Sequence, residues 1–254
     1  MKRFLSKSIM GALIIGGISA GILAETSPKD ANAEPVKNLK NTIIDIHEQK
    51  IIPGNPMKFI LEKEKESKEI EANVIMETDK PTLKDLRQYK NKVAAIQKQL
   101  VKSNQKVVPA TVTLEDTISY SELQDLLNDN NIKGERIFVR TKTSDGDIGG
   151  LTVYLSDGNE IPYEKIKSVT NVQGKDISVV GVYAFEADIN LQNKDFEKLN
   201  ESDDVFLVDI SSAHYKKQAL KNQKVKELKN NDQKHHIDVN VFDLYWELDS
   251  ARKN

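Results

Sequence analysis

The chain has 254 residues, no cysteine, and 37 lysines and arginines against 39 aspartates and glutamates. The missing thiol excludes a disulfide framework, a thiolate metal site and the lipid-modified cysteine of a bacterial lipoprotein, so stability must come from packing. The net charge of −2 conceals three blocks: residues 34–106 carry 15 basic and 11 acidic side chains, 107–212 carry 9 and 20, and 213–254 carry 9 and 6. An acidic centre between basic flanks argues against nucleic-acid recognition by that centre and is open to two readings, flanks folded over the centre, or a basic partner or divalent cations met outside the cell.

Residues 1–33 have the three parts of an export signal. Lys2, Arg3 and Lys7 form a basic start, residues 9–24 are apolar but short and rich in glycine and alanine, and Ala31-Asn32-Ala33 is a small-x-small cleavage pattern. This predicts a secreted chain beginning at Glu34; the alternative is an uncleaved N-terminal anchor. The cysteine-free, lysine-rich composition behind a long signal is in the style of Gram-positive exported proteins.

Residues 34–106 read as an N-terminal extension. Thr42 to Ile46 suits a strand, Pro53-Gly54-Asn55-Pro56 a turn, and residues 58–70 start apolar before a lysine/glutamate alternation that reads as an exposed face. An amphipathic helix is expected over 82–104, because Thr82 and Asp85 have capping-box spacing. Leu86, Tyr89, Val93, Ile96 and Leu100 recur along it at helical intervals.

Residues 107–212 read as an α+β domain. Strands are expected over 107–114, 136–141, 150–155, 177–189 and 205–210, and helices over 120–128, 163–168 and 195–199. Ser144-Asp145-Gly146-Asp147 and Asp157-Gly158 are turns. With the hairpin and short helix set aside as insertions, the order is β-α-β-β-α-β, which predicts a ferredoxin-like sandwich. The stretch GVYAFEADINLQNKDFEKLNESDDVFLVDI, residues 181–210, resembles the end of the subtilisin-propeptide and inhibitor family. The resemblance implies that Phe196, Leu199, Val205 and Leu207 are core. It carries over no inhibitory residue, the chain has a long insertion over 144–176, and no protease domain follows.

Residues 213–254 read as a tail, basic and helical at first, then aromatic. Residues 215–228 suit a solvated basic helix or one lying on an anionic surface. Phe242, Leu244, Tyr245 and Trp246, the only tryptophan, are expected to dock on the parent domain.

No constellation of side chains specifies a reaction. Asp232, His235, His236 and Asp238 could supply metal ligands, but adjacent histidines point apart and no His-Glu-x-x-His spacing exists; His47 and His214 are isolated. The one Gly-x-Ser-x-Gly match, Gly17-Ile18-Ser19-Ala20-Gly21, lies inside the apolar export segment, and no other serine stands in that pattern. Asp145, Asp147 and Asp157 lack EF-hand spacing, and Gly146, Gly149 and Gly150 are not followed by the Lys-Ser/Thr of a phosphate loop. The sequence therefore predicts an exported, non-enzymatic interaction protein with no cofactor and no metal, its partner a protein or peptide at the cell surface or in the medium, with a peptide- or protease-binding module as the narrower form. Membrane contact is expected only through an uncleaved signal. The alternative is an extracellular hydrolase of wall polymer or sugar using two carboxylates from Glu160, Glu164, Glu186 and Asp188.

Overall fold

The computed structural model describes residues 13–14, 44–46, 57–62, 69–76, 80–103, 106–156, 159–170, 177–192, 194–221 and 236–253. In chain order the elements are β1 (Leu13–Ile14), β2 (Ile44–Ile46), β3 (Met57–Glu62), β4 (Glu69–Met76), α1 (Leu83–Lys102), β5 (Val107–Ile118), α2 (Tyr120–Asp129), β6 (Lys133–Thr143), β7 (Ile148–Tyr154), α3 (Tyr163–Thr170), β8 (Ile177–Asn190), α4 (Lys194–Glu201), β9 (Val205–Asp209), α5 (Ser212–Lys221), β10 (His236–Val241) and α6 (Tyr245–Lys253). The architecture is mixed α+β, in two compact units. The Ala31-Asn32-Ala33 motif, the Pro53–Pro56 turn, Asp157-Gly158, and His47, Asp232 and His235 lie outside the described residues.

The first unit holds β1, β5 to β9, α2 to α4 and residues 243–246. Its sheet has the order β1-β7-β6-β8-β5-β9; β5 to β9 pair antiparallel, and Leu13–Ile14 runs parallel to β7. Alternation on β5 builds the core: Val108, Ala110, Val112 and Leu114 are buried, and the ladder sets Val108 against Ile189, Ala110 against Ala187 and Val112 against both Phe185 and Val208. On β6, Ile137 meets the same Phe185. Side chains of this size contribute about 1.5–3 kcal/mol each when fully buried, so this shared face dominates the stability of the unit. The helices supply Leu123 and Leu127 (α2), Ile166 (α3), and Phe196 and Leu199 (α4) to the interior, with α2 and α3 approaching β8 and α4 approaching β9. Phe196, Leu199, Val205 and Leu207 are all buried.

Local chemistry sets the element boundaries. The Ser119 hydroxyl accepts the Glu122 N–H while the Glu122 carboxylate accepts the Ser119 N–H, a reciprocal cap that starts α2 directly after β5. The β6–β7 hairpin turns at Gly146, whose φ of 90° lies in the left-handed region glycine enters without strain.

The second unit holds β2 to β4, α1, α5, β10 and residues 247–253. Its sheet order is β10-β4-β3-β2, with β10 parallel to β4 and the other pairs antiparallel. Ile70, Ala72 and Val74 pair with Ile237, Val239 and Val241 across β4 and β10. Helix α1 buries Leu86, Tyr89, Val93, Ile96 and Leu100, and starts at the Thr82–Asp85 capping box. The Tyr89 hydroxyl lies 3.2 Å from that of Ser211, and Lys92, 2% exposed, holds its ammonium 5.3 Å from the centre of the Tyr215 ring.

This unit corrects the expectation of an N-terminal helical extension and a C-terminal helical tail. Both segments contribute strands, and β10 joins β4 across 167 residues of sequence, measured by the Asn240 to Asn73 side-chain hydrogen bond. Ile70, Ala72 and Val74 alternate with Glu71 and Asn73 over only five residues, directly after the lysine/glutamate run, which reads locally as a solvated surface. A parallel partner from the far end of the chain leaves no local turn signal.

Candidate interaction surface

Strand β8 is the element on which the chemistry of the first unit converges. Three register shifts separate it from β6: one inserts Glu135 in β6, where Gly134 pairs with Ala187 but Arg136 with Glu186, and two fall in β8, where Phe138 pairs with Ala184 but Val139 with Val182, and Arg140 pairs with Gly181 but Thr141 with Val179. Each of the latter two inserts one extra residue in β8, Tyr183 and Val180 respectively, bending the strand and re-aiming those side chains.

The face carrying Thr113, Phe138 and Ala184 is covered by residues 243–246. The Leu244 N–H donates to the Thr113 hydroxyl at 3.0 Å. Tyr245 stacks on Tyr183 with ring centres 4.9 Å apart, and Trp246 meets Tyr183 edge-on at 5.4 Å. The Arg140 guanidinium donates to the Tyr245 hydroxyl at 2.6 Å and lies 5.1 Å from the centre of the Trp246 ring. Its planar donors meet a phenol oxygen while its face meets an aromatic π-system, two roles a lysine could not combine. Gly150 makes room, since a Cβ there would stand 3.0 Å from the Tyr183 hydroxyl.

Farther along the same face Arg136 grips Glu186 with two bonds, Nη2 to Oε1 at 2.6 Å and Nε to Oε2, and lies 5.6 Å from the centre of the Phe138 ring. Burial pulls the Arg136 pKa down, but the Glu186 carboxylate and the Tyr154 hydroxyl outweigh it and leave the group above its ordinary value.

Beyond Gly181 the two sides of β8 differ. On the β6 side the ladder runs on through Val179, Ser178 and Ile177, paired with Thr141, Lys142 and Thr143. On the β5 side pairing ends at Ile118 opposite Val182. A Cβ at Gly181 would stand 2.8 Å from the Ile118 carbonyl oxygen, so the glycine lets β5 cross tightly and leave. Among the described residues no strand pairs with residues 177–180 on that side. Val179 and Val180 are 38% and 49% exposed there.

The carboxylates singled out from sequence are spread over a loop, α3 and β8. Glu160 is exposed ahead of α3, Glu164 is exposed in its first turn, and Asp188 is exposed on β8 two residues from Glu186. Both Glu186 oxygens are engaged by Arg136. Asp145 and Asp147 are exposed in the hairpin turn, where Thr143 and Asp147 exchange backbone and side-chain bonds. His214 is buried on α5 against Tyr215 and His236 is exposed on β10. Among the described residues no three histidines or carboxylates are grouped to hold a metal ion, and no helix is long and apolar enough to cross a membrane.

Sequence reasoning named Phe242, Leu244, Tyr245 and Trp246 as a docking segment but missed its receptor, and Phe242 is exposed rather than docked. The signal was Arg136-Ile137-Phe138-Val139-Arg140, whose period of two puts arginine, phenylalanine and arginine on one face. No family model, no curated protein and no solved structure matches the chain.

Proposed function

We propose that this chain is an exported, non-enzymatic interaction protein whose first unit takes an extended segment of a partner protein or peptide along the open side of β8. The observation that carries the reading is the one-sided stretch 177–180, whose second ladder edge no strand among the described residues takes and whose two valines are exposed. Protein edges are ordinarily blunted by charge, proline or a covering segment, and Ile-Ser-Val-Val carries neither charge nor proline. Main-chain hydrogen bonding to an exposed edge is an established mode of peptide capture.

In this reading the unit is a ferredoxin-like sandwich. Without β7 and α3 the chain runs β5-α2-β6-β8-α4-β9, and the sheet order β6-β8-β5-β9 is that of the split β-α-β arrangement. Export through residues 1–33 makes the medium or cell surface the place of encounter. The carboxylate-hydrolase alternative is weakened by the two hydrogen bonds from Arg136 to Glu186, which tie up the carboxylate nearest to Asp188 on the strand.

The test is a photo-crosslinking residue at position 180 compared with one at Val107, which is 52% exposed on β5. In producing cells, a discrete adduct from position 180 and none from 107 is expected. No adduct at 180, or the same adduct from both, overturns the proposal.

A further inference from the structure

We infer that the occupant of the open side of β8 is an extended segment with β-branched residues at its centre and lysine or arginine at its ends; this rests on the edge-pairing reading above. Three features point to that chemistry. The first is the size and character of the seat. Residues 177–180 are bounded at one end by Gly181, where Ile118 closes the ladder, and at the other by Ile177, the first residue of the strand. An added strand therefore continues the line that β5 abandons. Its central side chains lie beside Val179 and Val180, and β-branched residues pack best against such neighbours on a pleated surface.

The second feature is the charge at the two ends of the seat. At the Ile177 end, Thr143 pairs with Ile177 on the closed side of β8, and the turn that follows Thr143, one strand away from the seat, carries the exposed carboxylates Asp145 and Asp147. At the Gly181 end, Ile118 belongs to the stretch from Val107 to Ile132, which carries five acids and no base. The N-terminus of α2 beside this end does not attract an anion, because the Glu122 carboxylate already accepts the Ser119 N–H at 2.7 Å. Lys142 is exposed opposite Ser178, near the middle of the seat, and Arg140 is committed to Tyr245 and Trp246. The ends are therefore acidic and the middle is not, which selects a partner with basic ends.

The third feature is the surrounding field. Residues 107–212 carry 20 acidic and 9 basic side chains, and the stretch from Val107 to Ile132 carries five acids and no base. A second copy approaching through this block would meet like charge, whereas a basic segment is drawn to it.

The experiment uses the 15N-labelled full chain and three capped peptides: Lys-Val-Thr-Val-Lys, its acidic counterpart Glu-Val-Thr-Val-Glu, and Lys-Val-Pro-Val-Lys, in which proline removes a ladder donor. The basic peptide is expected to shift the amide signals of residues 177–181 and to bind about 10-fold tighter than the acidic one at low salt, the gap closing as ionic strength approaches 0.5 M. The proline peptide is expected to bind more weakly than its threonine parent. The double substitution Asp145→Lys, Asp147→Lys lies in an exposed turn, and it should remove much of the basic peptide's advantage. Equal binding of the basic and acidic peptides at 177–181 overturns the charge selection and leaves the edge reading standing. Failure of every peptide to move those amides overturns the edge reading and this inference with it.

Discussion

Arg140 and Tyr245, 105 residues apart in sequence, meet over the second face of the sheet, with the guanidinium donating to the phenol oxygen at 2.6 Å. The ring of Tyr245 is stacked on Tyr183 at the same time, so the hydroxyl and the ring have separable roles. Tyr245→Phe keeps the stack and removes the acceptor, and should cost about 1 kcal/mol in urea unfolding. Tyr245→Ala removes both and should cost about 3–5 kcal/mol, the range for truncating a buried aromatic ring. Trp246 is the chain's only tryptophan and lies against Tyr183, so its emission reports directly on this contact. Equal losses for the two variants would mean that the stack contributes nothing.

Two glycines in the same sheet should respond differently to alanine. At Gly181 the added methyl would stand 2.8 Å from the Ile118 carbonyl oxygen and 2.9 Å from the Thr117 Cβ, and backbone paired in a ladder cannot move aside cheaply. At Gly150 the nearest atom is the Tyr183 hydroxyl at 3.0 Å, the end of a side chain. Gly181→Ala should therefore lose about 1–3 kcal/mol, the usual range for overpacking, and Gly150→Ala distinctly less. Denaturant midpoints in the reverse order would show that β5 does not close on β8 at Gly181.

Asn159 joins the β7–α3 connection to the start of β6: its Oδ1 accepts the Gly134 N–H at 2.7 Å and its Nδ2 donates to the Ile132 carbonyl at 2.8 Å. Its φ of 62° is left-handed, a region asparagine tolerates better than alanine. Asn159→Gly relieves the backbone but leaves a buried donor and acceptor without partners, and should cost roughly 1–3 kcal/mol. Asn159→Ala adds the left-handed penalty, about 1 kcal/mol more. A glycine variant as stable as the parent would show that the backbone conformation alone fixes the residue.

The elements of residues 107–212 were legible because each obeys a local rule. Ser119 and Glu122 start α2, the alternation through Val108, Ala110 and Val112 marks β5, and Asp145-Gly146 marks the hairpin. Helix α1 was legible for the same reason, from Thr82, Asp85 and its buried stripe. What local rules do not encode is pairing between distant segments. Nothing near Ile70 signals that Ile237 lies beside it, and nothing near Arg140 signals Tyr245. The extra residues Val180 and Tyr183 were equally hidden, because a bulge is a mismatch between two strands and neither sequence alone contains it. The candidate site consists largely of such relationships: a strand edge left open because its neighbour departs, and an aromatic cover supplied from the far end of the chain.

Glu247, half-buried in α6, has its carboxyl pushed above the ordinary 4.5 by burial, with only partial relief from a backbone hydrogen bond. The folded chain thus holds this proton more tightly than the unfolded chain does. The stability it contributes is complete below about pH 4.5, declines as the pH rises through the raised folded value, and is gone above it. Asp85 and Glu122 run the other way: hydrogen bonds from Thr82 and Ser119 hold their pKa values down, so their contributions are present at neutral pH and vanish on acidification. These trends overlap in the parent protein, and a raw stability profile cannot separate them. The difference between the parent and Glu247→Gln does, because the capping carboxylates are common to both. Glutamine keeps the shape and stays neutral, so the variant should be the more stable of the two at pH 7, with the advantage shrinking toward zero below pH 4.5. Melting temperatures of the pair from pH 4 to pH 8 supply the test, and an advantage independent of pH would show that the Glu247 carboxylate is solvated in the folded chain.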